Sequence, residues 1–167
     1  MSHRTISIGG ASGFWGDSSI ALPQLLQHDG LDYISFDYLA EVTMSILARA
    51  RAKDPSLGYA TDFVTLVGRH LPQIADRRIK LIANAGGVNP NACADALRAR
   101  IAATNLDLRV GVVTGDDLLA MQSQLKDSKE MFSGTSMPER LLSLNAYLGA
   151  WPIAAALDAG ADIVVTG

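Results

Sequence analysis

Two acidic residues four positions apart, Asp37 and Glu41, are candidates by type and spacing for acid–base chemistry. If a helix begins at or just after Asp37, both carboxylates can face one crevice. Two carboxylates in one site can act as acid and base, because the charge of one raises the pKa of the other. The structural alternative is that Asp37 caps the helix and Glu41 favours its first turn electrostatically.

A glycine-rich segment, residues 9–19, is the second candidate for chemistry. Its glycines let the backbone approach a ligand closely, and a helix starting just beyond would offer N–H groups to a phosphate, pyrophosphate or carboxylate. Gly10, Gly13 and Gly16 give G-x-x-G-x-x-G rather than the dinucleotide fingerprint G-x-G-x-x-G, and no lysine follows as in a P-loop. A tight turn without a ligand is the alternative.

Other catalytic patterns are weaker. No hydrolase triad is visible, and His3, His28 and His70 are candidate bases only by residue type. No group of His, Cys and carboxylate residues has metal-ligand spacing, so no metal is expected. Asp116 and Asp117 are expected to cap a helix.

These residues must be positioned by alternating strands and helices. The sequence predicts strands at 5–8, 33–36, 79–83, 108–113 and 162–167. It predicts helices at 17–28, 40–52, 60–75, 90–104, 117–125 and from about 152 to 158, with Val42, Ile46 and Leu47 on one face of the second and Asn89 capping the fourth. Residues 126–137 are expected to be irregular and 143–148 extended.

Such alternation predicts a Rossmann-like three-layer α/β fold, with a mostly parallel sheet and helices on both faces, in one domain over residues 1–167. Ligands bind beyond the carboxyl ends of parallel strands. The polar and glycine-rich segments fall at those ends: 9–19, 37–41, 84–89, 114–117 and 166–167.

Composition excludes several classes of protein. Hydrophobic residues make up 49% of the chain and the net charge is −3, with basic residues scattered, so nucleic acid is not an expected partner. No apolar stretch is long enough to cross a membrane. The single cysteine, Cys93, and the absence of a leader pattern predict a cytoplasmic protein.

Four strings in the same order resemble the acyclic terpene utilisation protein A family of bacteria: GGASGFWGD at 9–17, DYISFDYLAEVT at 32–43, NAGGVNP at 84–90, and NAYLGA at 145–150 leading into GADIVVTG at 160–167. The resemblance implies that the chain is the N-terminal portion of a longer protein. Members of the family are similar to proteins encoded beside acyl-CoA carboxylases and hydratases that degrade geraniol- and citronellol-type compounds. The resemblance therefore implies a small anionic substrate, either a carboxylic or hydroxy acid or a coenzyme A thioester.

The family strings and the strand ends together predict one ligand site. Asp37 and Glu41 are its expected catalytic residues. The expected ligand-binding residues are Gly10, Ser12, Gly13, Asp17, Asn84, Gly86, Gly87, Asn89, Asn145, Tyr147, Thr166 and Gly167.

Three functions remain open from the sequence. The first is a lyase or hydratase of acyl-CoA or hydroxy-acid catabolism. The second is an NAD(P)-dependent oxidoreductase, and the third is a non-catalytic subunit of a catabolic enzyme complex. The high apolar content also suggests a homo-oligomer or a partner subunit.

Overall fold

Short runs of β-branched and apolar residues form a five-stranded sheet, in which every neighbouring pair is parallel. The computed structural model describes residues 5–167. The strand order is β1-β2-β3-β5-β4. The strands are β1 (Ile8–Ser12), β2 (Tyr33–Phe36), β3 (Lys80–Ala83), β4 (Val110–Val113) and β5 (Ile163–Thr166). The helices are α1 (Ala21–Leu25), α2 (Glu41–Lys53), α3 (Thr61–Arg77), α4 (Pro90–Ala102) and α5 (Trp151–Asp158).

Helices cover both faces of the sheet, which confirms the predicted three-layer fold. One face packs against α1, α3 and α4 in a continuous core that includes Phe63, Val67 and Leu97. The opposite face packs against α5, where Ile153 meets Val164. Alternate residues of each strand serve the two faces, as the two-residue period of a strand requires.

The first strand begins later than the sequence predicted. It runs from Ile8 to Ser12, so Gly9 and Gly10 lie inside the strand and not in the loop after it. A Cβ atom at Gly9 would lie 2.8 Å from a Leu25 methyl carbon. Gly9 thus lies against the Leu25 side chain of α1, and the expected loop starts only at Gly13.

The first helix is shorter than the predicted 17–28. It covers Ala21–Leu25, and the Ser18 hydroxyl accepts a hydrogen bond from the N–H of Ala21. Residues 26–29 continue as turns. The regular helix therefore begins later and ends earlier than predicted.

The apolar face predicted for α2 is wrong at two positions. Val42 and Ile46 are 70% and 47% exposed, whereas Thr43, Leu47 and Ala48 are buried. The reason is that α2 packs on the loop after β3, where Leu47 and Val88 share a small cluster, and not on the sheet. The residues facing that loop differ from those that would face a sheet.

The helix predicted at 117–125 does not form, and only a 3₁₀ turn at Leu119–Met121 is present. The N–H of Leu118 donates instead to the carbonyl of Leu144 at 2.7 Å, and residues 117 and 145 form an isolated antiparallel bridge. Contact with a distant segment has replaced local helix formation. The segment 126–137 is irregular, as predicted.

The helices α3 and α4 agree closely with prediction. Asn89 caps α4, because its side-chain oxygen accepts the N–H of Ala92 and Pro90 occupies the first turn. The face of α3 formed by Phe63, Val64, Val67 and Leu71 is buried. In the part of the chain described, no helix is both long and apolar enough to span a membrane.

Candidate functional site

A cleft of about 470 Å³ opens at the carboxyl edge of the sheet, a size within the range of roughly 300–1,000 Å³ typical of ligand pockets. The ends of β2, β3, β4 and β5 form its floor, and residues 146–149 with Ile153 form a wall. It is lined by Ser35, Phe36, Asp37, Leu39, Ile82, Asn84, Val113, Asp116, Ala146, Tyr147, Leu148, Gly149, Ile153, Thr166 and Gly167.

A second lobe of about 360 Å³ adjoins this cleft. Both lobes are lined by Leu39, Asp116 and Tyr147, and the second adds Glu41 and Asn145. Asp37 lines the first lobe and Glu41 the second. The two predicted catalytic carboxylates therefore face adjoining lobes of one site.

The position of the cleft follows from the chain path. After β3 the chain enters α4 on one face of the sheet, whereas after β4 it passes through 114–150 to α5 on the other face. The connections after β3 and β4 thus leave toward opposite faces of the sheet. A crevice forms where neighbouring connections part in this way, and open α/β sheets bind their ligands in such crevices.

The Asp37 carboxylate is held by an amide from the neighbouring strand. Asn84 donates its side-chain N–H to Asp37 Oδ1 at 2.7 Å, and Asn84 Oδ1 accepts the backbone N–H of Tyr38 at 2.7 Å. One asparagine thus fixes both the carboxylate and the backbone after β2. Asp37 remains exposed to the cleft.

Asp116, which follows the edge strand β4, is also held by an asparagine amide. Its Oδ2 accepts the side-chain N–H of Asn145 at 2.8 Å, and its backbone oxygen accepts the N–H of Ala146. Asp116 is only 7% exposed. The prediction that it caps a helix is wrong, because the helix is absent and its side chain bonds to Asn145, the residue that precedes the 146–149 wall.

The cleft therefore contains two aspartates, each hydrogen-bonded by an asparagine amide, among apolar walls. Within the described residues, neither lobe has a lysine or arginine in its lining. Asp117, the next residue in the chain, does pair with an arginine, Arg51, at 3.0 Å, but it does not line the cleft. The cleft thus has negative and apolar character.

Sequence reasoning missed the role of Asp116 and the apolar lining at Leu39, Ile82 and Ile153. Asp116 follows Gly115 just after β4, a position that also suits a helix cap, so its sequence pattern is ambiguous. Ile82, one position before the end of β3, points to the face opposite the main core, which contains its neighbours Leu81 and Ala83. That alternation is the signal that would have found it.

The loop after β3 is present at this edge, but its backbone donors have internal partners. The N–H of Gly86 donates to the Thr166 carbonyl at 2.9 Å, that of Gly87 to Asn84, and that of Asn89 to Gly86. The Asn89 side chain caps α4 and donates to two carbonyls of the 55–57 turn. These residues support the floor of the cleft, and Asn84, Thr166 and Gly167 line it.

The first loop lies apart from the cleft. Gly10, Ser12, Gly13 and Asp17 line neither lobe, because β1 is the edge strand and β2 separates it from the rest of the rim. The N–H of Gly13 donates to Asp17 Oδ2 at 2.8 Å. The loop thus supplies its own carboxylate as the partner of that N–H.

The histidines and the cysteine lie away from the cleft. His28 and His70 line neither lobe, and His3 falls outside the described residues. Burial raises the pKa of the Cys93 thiol to about 12, so it stays protonated inside α4. Among residues 5–167, no group of three or more His, Cys, Asp or Glu side chains could hold a metal ion.

Comparison with known families gives one result that covers nearly the whole chain. The model of the family described as acyclic terpene utilisation family protein AtuA matches residues 6–167. Neither curated proteins nor solved structures give a significant match. The matched range includes all four strings that carry the resemblance and every residue that lines the cleft.

Proposed function

Because the chain belongs to the acyclic terpene utilisation family AtuA, we propose that its cleft binds the acyl part of a small acid or acyl-CoA thioester for a lyase or hydratase reaction. The observation that carries this proposal is the pair of asparagine-held aspartates, Asp37 and Asp116, in one apolar cleft. Such a pair provides fixed acid–base groups beside a hydrocarbon-binding surface.

The charge of the cleft favours an uncharged part of the substrate. A free carboxylate would face Asp37 and Asp116 with no lysine or arginine among the described lining residues to offset the repulsion. A thioester carbonyl and a branched hydrocarbon chain carry no charge, and Leu39, Ile82 and Ile153 offer apolar contact. The anionic coenzyme A portion of a thioester would then remain outside the lobes.

The proposed chemistry is the addition of water to a carbon–carbon double bond, or its reverse. One aspartate accepts a proton from water as the water oxygen attacks one carbon of the double bond. A second carboxyl group, in its protonated form, donates a proton to the adjacent carbon. Asp37 is the proposed base because it is exposed to the cleft. Asp116, in the same lobe, and Glu41, in the adjoining lobe, are the two candidates for the acid.

Thermal unfolding of the protein with added thioesters tests the binding part. A branched monoterpenoid acyl-CoA should raise the midpoint by several degrees, since a ligand at about 100 times its dissociation constant adds about 2.7 kcal/mol. Acetyl-CoA and free coenzyme A contain the same anionic coenzyme A portion but lack the branched hydrocarbon chain. Equal shifts with all three, or a shift with NAD(H) alone, would contradict the proposal, and the latter would support an oxidoreductase.

Three variants divide the catalytic roles. We expect Asp37→Asn to lower hydration of the same thioester by about 10²–10⁴-fold while keeping the ligand-dependent midpoint shift. A comparable loss in Asp116→Asn with normal rates in Glu41→Gln would identify Asp116 as the acid. The reverse result would identify Glu41 as the acid. Asp127→Asn, at an exposed position outside both lobes, is the matched control.

The same variants separate an enzyme from a non-catalytic subunit. If the wild-type protein binds the thioester but neither hydrates nor cleaves it, and Asp37→Asn changes nothing, the enzyme proposal fails. The exposed side chains of Met131 and Phe132 would then become candidates for contact with a partner subunit. The one cysteine, buried as a thiol, fits the proposed reducing cytoplasmic location.

A further inference from the structure

A second cavity of about 460 Å³ lies on the other side of the β2 end and shares no lining residue with the cleft. One wall is the turn at residues 16–19, and another is the first two turns of α3 and the residue beyond them. The lining is Gly16, Asp17, Ser18, Ser19, Tyr38, Thr61, Asp62, Thr65, Leu66 and Arg69. The proposed reaction uses none of these residues.

Tyr38 is the residue that distinguishes this cavity from a surface depression. Its side chain is 3% exposed and its ring packs edge-on against Phe63 at a centroid distance of 6.0 Å. Its hydroxyl has no hydrogen-bond partner within the described chain, and because no fully buried polar side-chain atom of the described residues lacks a partner, the hydroxyl must be accessible from the cavity. A tyrosine hydroxyl on a largely buried side chain normally has a partner, so this one is open to water or to a ligand that enters the cavity.

Two carboxylates in the cavity each have one oxygen atom engaged in a hydrogen bond. Asp62 Oδ1 accepts the indole N–H of Trp15 at 2.7 Å, and Asp17 Oδ2 accepts the N–H of Gly13 at 2.8 Å. These bonds fix both side chains and leave the second oxygen of each able to accept. Burial, with the charges of Asp62 and Asp17 added, raises the pKa of Tyr38, so the hydroxyl stays protonated and can donate.

Arg69 completes the set with a donor. It lies two turns after Asp62 on the same side of α3, and it forms no ion pair in the described structure. The cavity thus combines open acceptors on two carboxylates with donors on Tyr38 and Arg69. Its side chains sum to a formal charge of −1, from two aspartates and one arginine.

We propose that this cavity binds the vicinal diol of a sugar or nucleoside. Neighbouring hydroxyl groups can donate to a carboxylate and accept from tyrosine and arginine at the same time. This matches the cavity, which offers free carboxylate acceptors beside free donors. An inorganic anion would meet two carboxylates, and a metal ion would find too few acidic ligands beside an arginine. A neutral ligand with paired hydroxyl groups can donate to the carboxylates and accept from Tyr38 and Arg69, and it adds no charge to the cavity.

Trp15 provides a direct reporter for the test, because its indole N–H bonds to Asp62. Ribose is titrated as methyl β-D-ribofuranoside into the ¹⁵N-labelled protein, and the corresponding 2-deoxy furanoside, which has no vicinal diol, is the matched probe. We expect ribose to shift the Trp15 indole resonance, identified by Trp15→Phe, and to leave that of Trp151 unchanged. The deoxy sugar should bind about 3–10-fold more weakly, as expected for the loss of one hydrogen bond.

Variants connect the shift to the cavity. Tyr38→Phe keeps the ring in the core and removes only the hydroxyl, and Asp62→Asn keeps an oxygen for the Trp15 bond. Each should weaken ribose binding by about 3–10-fold, whereas Asp76→Asn, exposed at the far end of α3, should not. No Trp15 shift with ribose, equal binding of both sugars, or unchanged affinity in Tyr38→Phe would overturn the proposal. A shift with inorganic phosphate alone would overturn it in favour of an anion site.

Discussion

Gly86 is glycine because two backbone segments leave no room for a side chain. Its N–H donates to the Thr166 carbonyl, and a Cβ atom at this position would overlap that carbonyl oxygen and the backbone of Pro90. Neither neighbour is the flexible end of a side chain. The glycine therefore fixes how closely the loop after β3 approaches the end of β5.

Gly86→Ala should destabilise the protein by about 3 kcal/mol, because the overlap can be relieved only by moving backbone. Urea unfolding measures the change. Gly10→Ala is the matched control, since no atom lies within 4 Å of its added Cβ and its strand conformation suits alanine. If both variants unfold at the same urea concentration, the close approach at Gly86 is not a constraint.

At this scale the sequence predicted where polar residues gather but not which ones point into the cleft. Asp37, Glu41, Asn84, Asn145, Tyr147, Thr166 and Gly167 do line its two lobes. Asp116 was misinterpreted because its partner Asn145 is distant in sequence and comes near it only through folding. The orientation of a side chain at a strand end depends on such contacts, which spacing along the chain does not encode.

Helix α4 is anchored at its start by a residue with two functions. Asn89 caps the helix through Ala92, and its amide nitrogen donates to the carbonyls of Pro55 and Leu57 at 3.0 and 2.8 Å. It thus ties the helix to the turn between α2 and α3. The helix and the turn should lose stability together if this side chain is removed.

Asn89→Ala should cost about 2 kcal/mol, from the lost cap and from carbonyls left with fewer donors. The measurement is the midpoint of thermal or urea unfolding. Asn91→Ala alters the same residue type two positions later, where the side chain is exposed and makes no bond in the described structure. A stability loss as large in Asn91→Ala would show that helix propensity, and not the cap, accounts for the effect.

Elements with strong local signals were predicted well, and elements governed by tertiary contact were not. The strand at 33–36 and the helix starting at Pro90 match observation, because β-rich residues and the Asn-Pro start are local signals. The region 117–125 was predicted as helix, but its backbone pairs with residues 144–145. Local propensity cannot anticipate that pairing.

At the amino edge of the sheet, one carboxylate links three of the five strands. Asp162, just before β5, accepts from the Lys80 ammonium at 2.6 Å and from the backbone N–H of Arg109 at 2.9 Å. It therefore links β5 to both neighbouring strands. Partial burial raises the pKa of Asp162, but the bonds from Lys80 and Arg109 outweigh that effect and hold the pKa below its usual range.

This depressed pKa predicts a stability that depends on pH. The contribution is fully present above the pKa of an unfolded aspartate, about 3.9, and is lost as pH falls through the lower folded value. Asp162→Asn should lower stability by about 1 kcal/mol at neutral pH and by progressively less in acid. Urea unfolding across pH measures this. Asp107→Asn, exposed and without bonds in the described chain, should show neither effect, and a pH-independent loss in Asp162→Asn would refute the linkage.

The overall architecture was the most predictable level. Five strands alternating with helices require crossover connections, which exclude hairpins and lead to a parallel sheet covered on both faces. The order of the strands was not predictable, because every strand is apolar enough to be buried. The edge position of β1 separates the glycine-rich loop from the cleft, and no feature of that loop indicates this.

The wall of the cleft at residues 146–149 belongs to a long connection outside regular structure, whereas its floor belongs to the sheet. In the proposed site, the fold would thus depend on the sheet and ligand specificity on the wall. Substitutions in the wall can reshape the space above the aspartates while the core stays intact. Members of this family could therefore diverge in ligand by changing a few wall positions, and a library randomised only there should yield many folded proteins with altered selectivity.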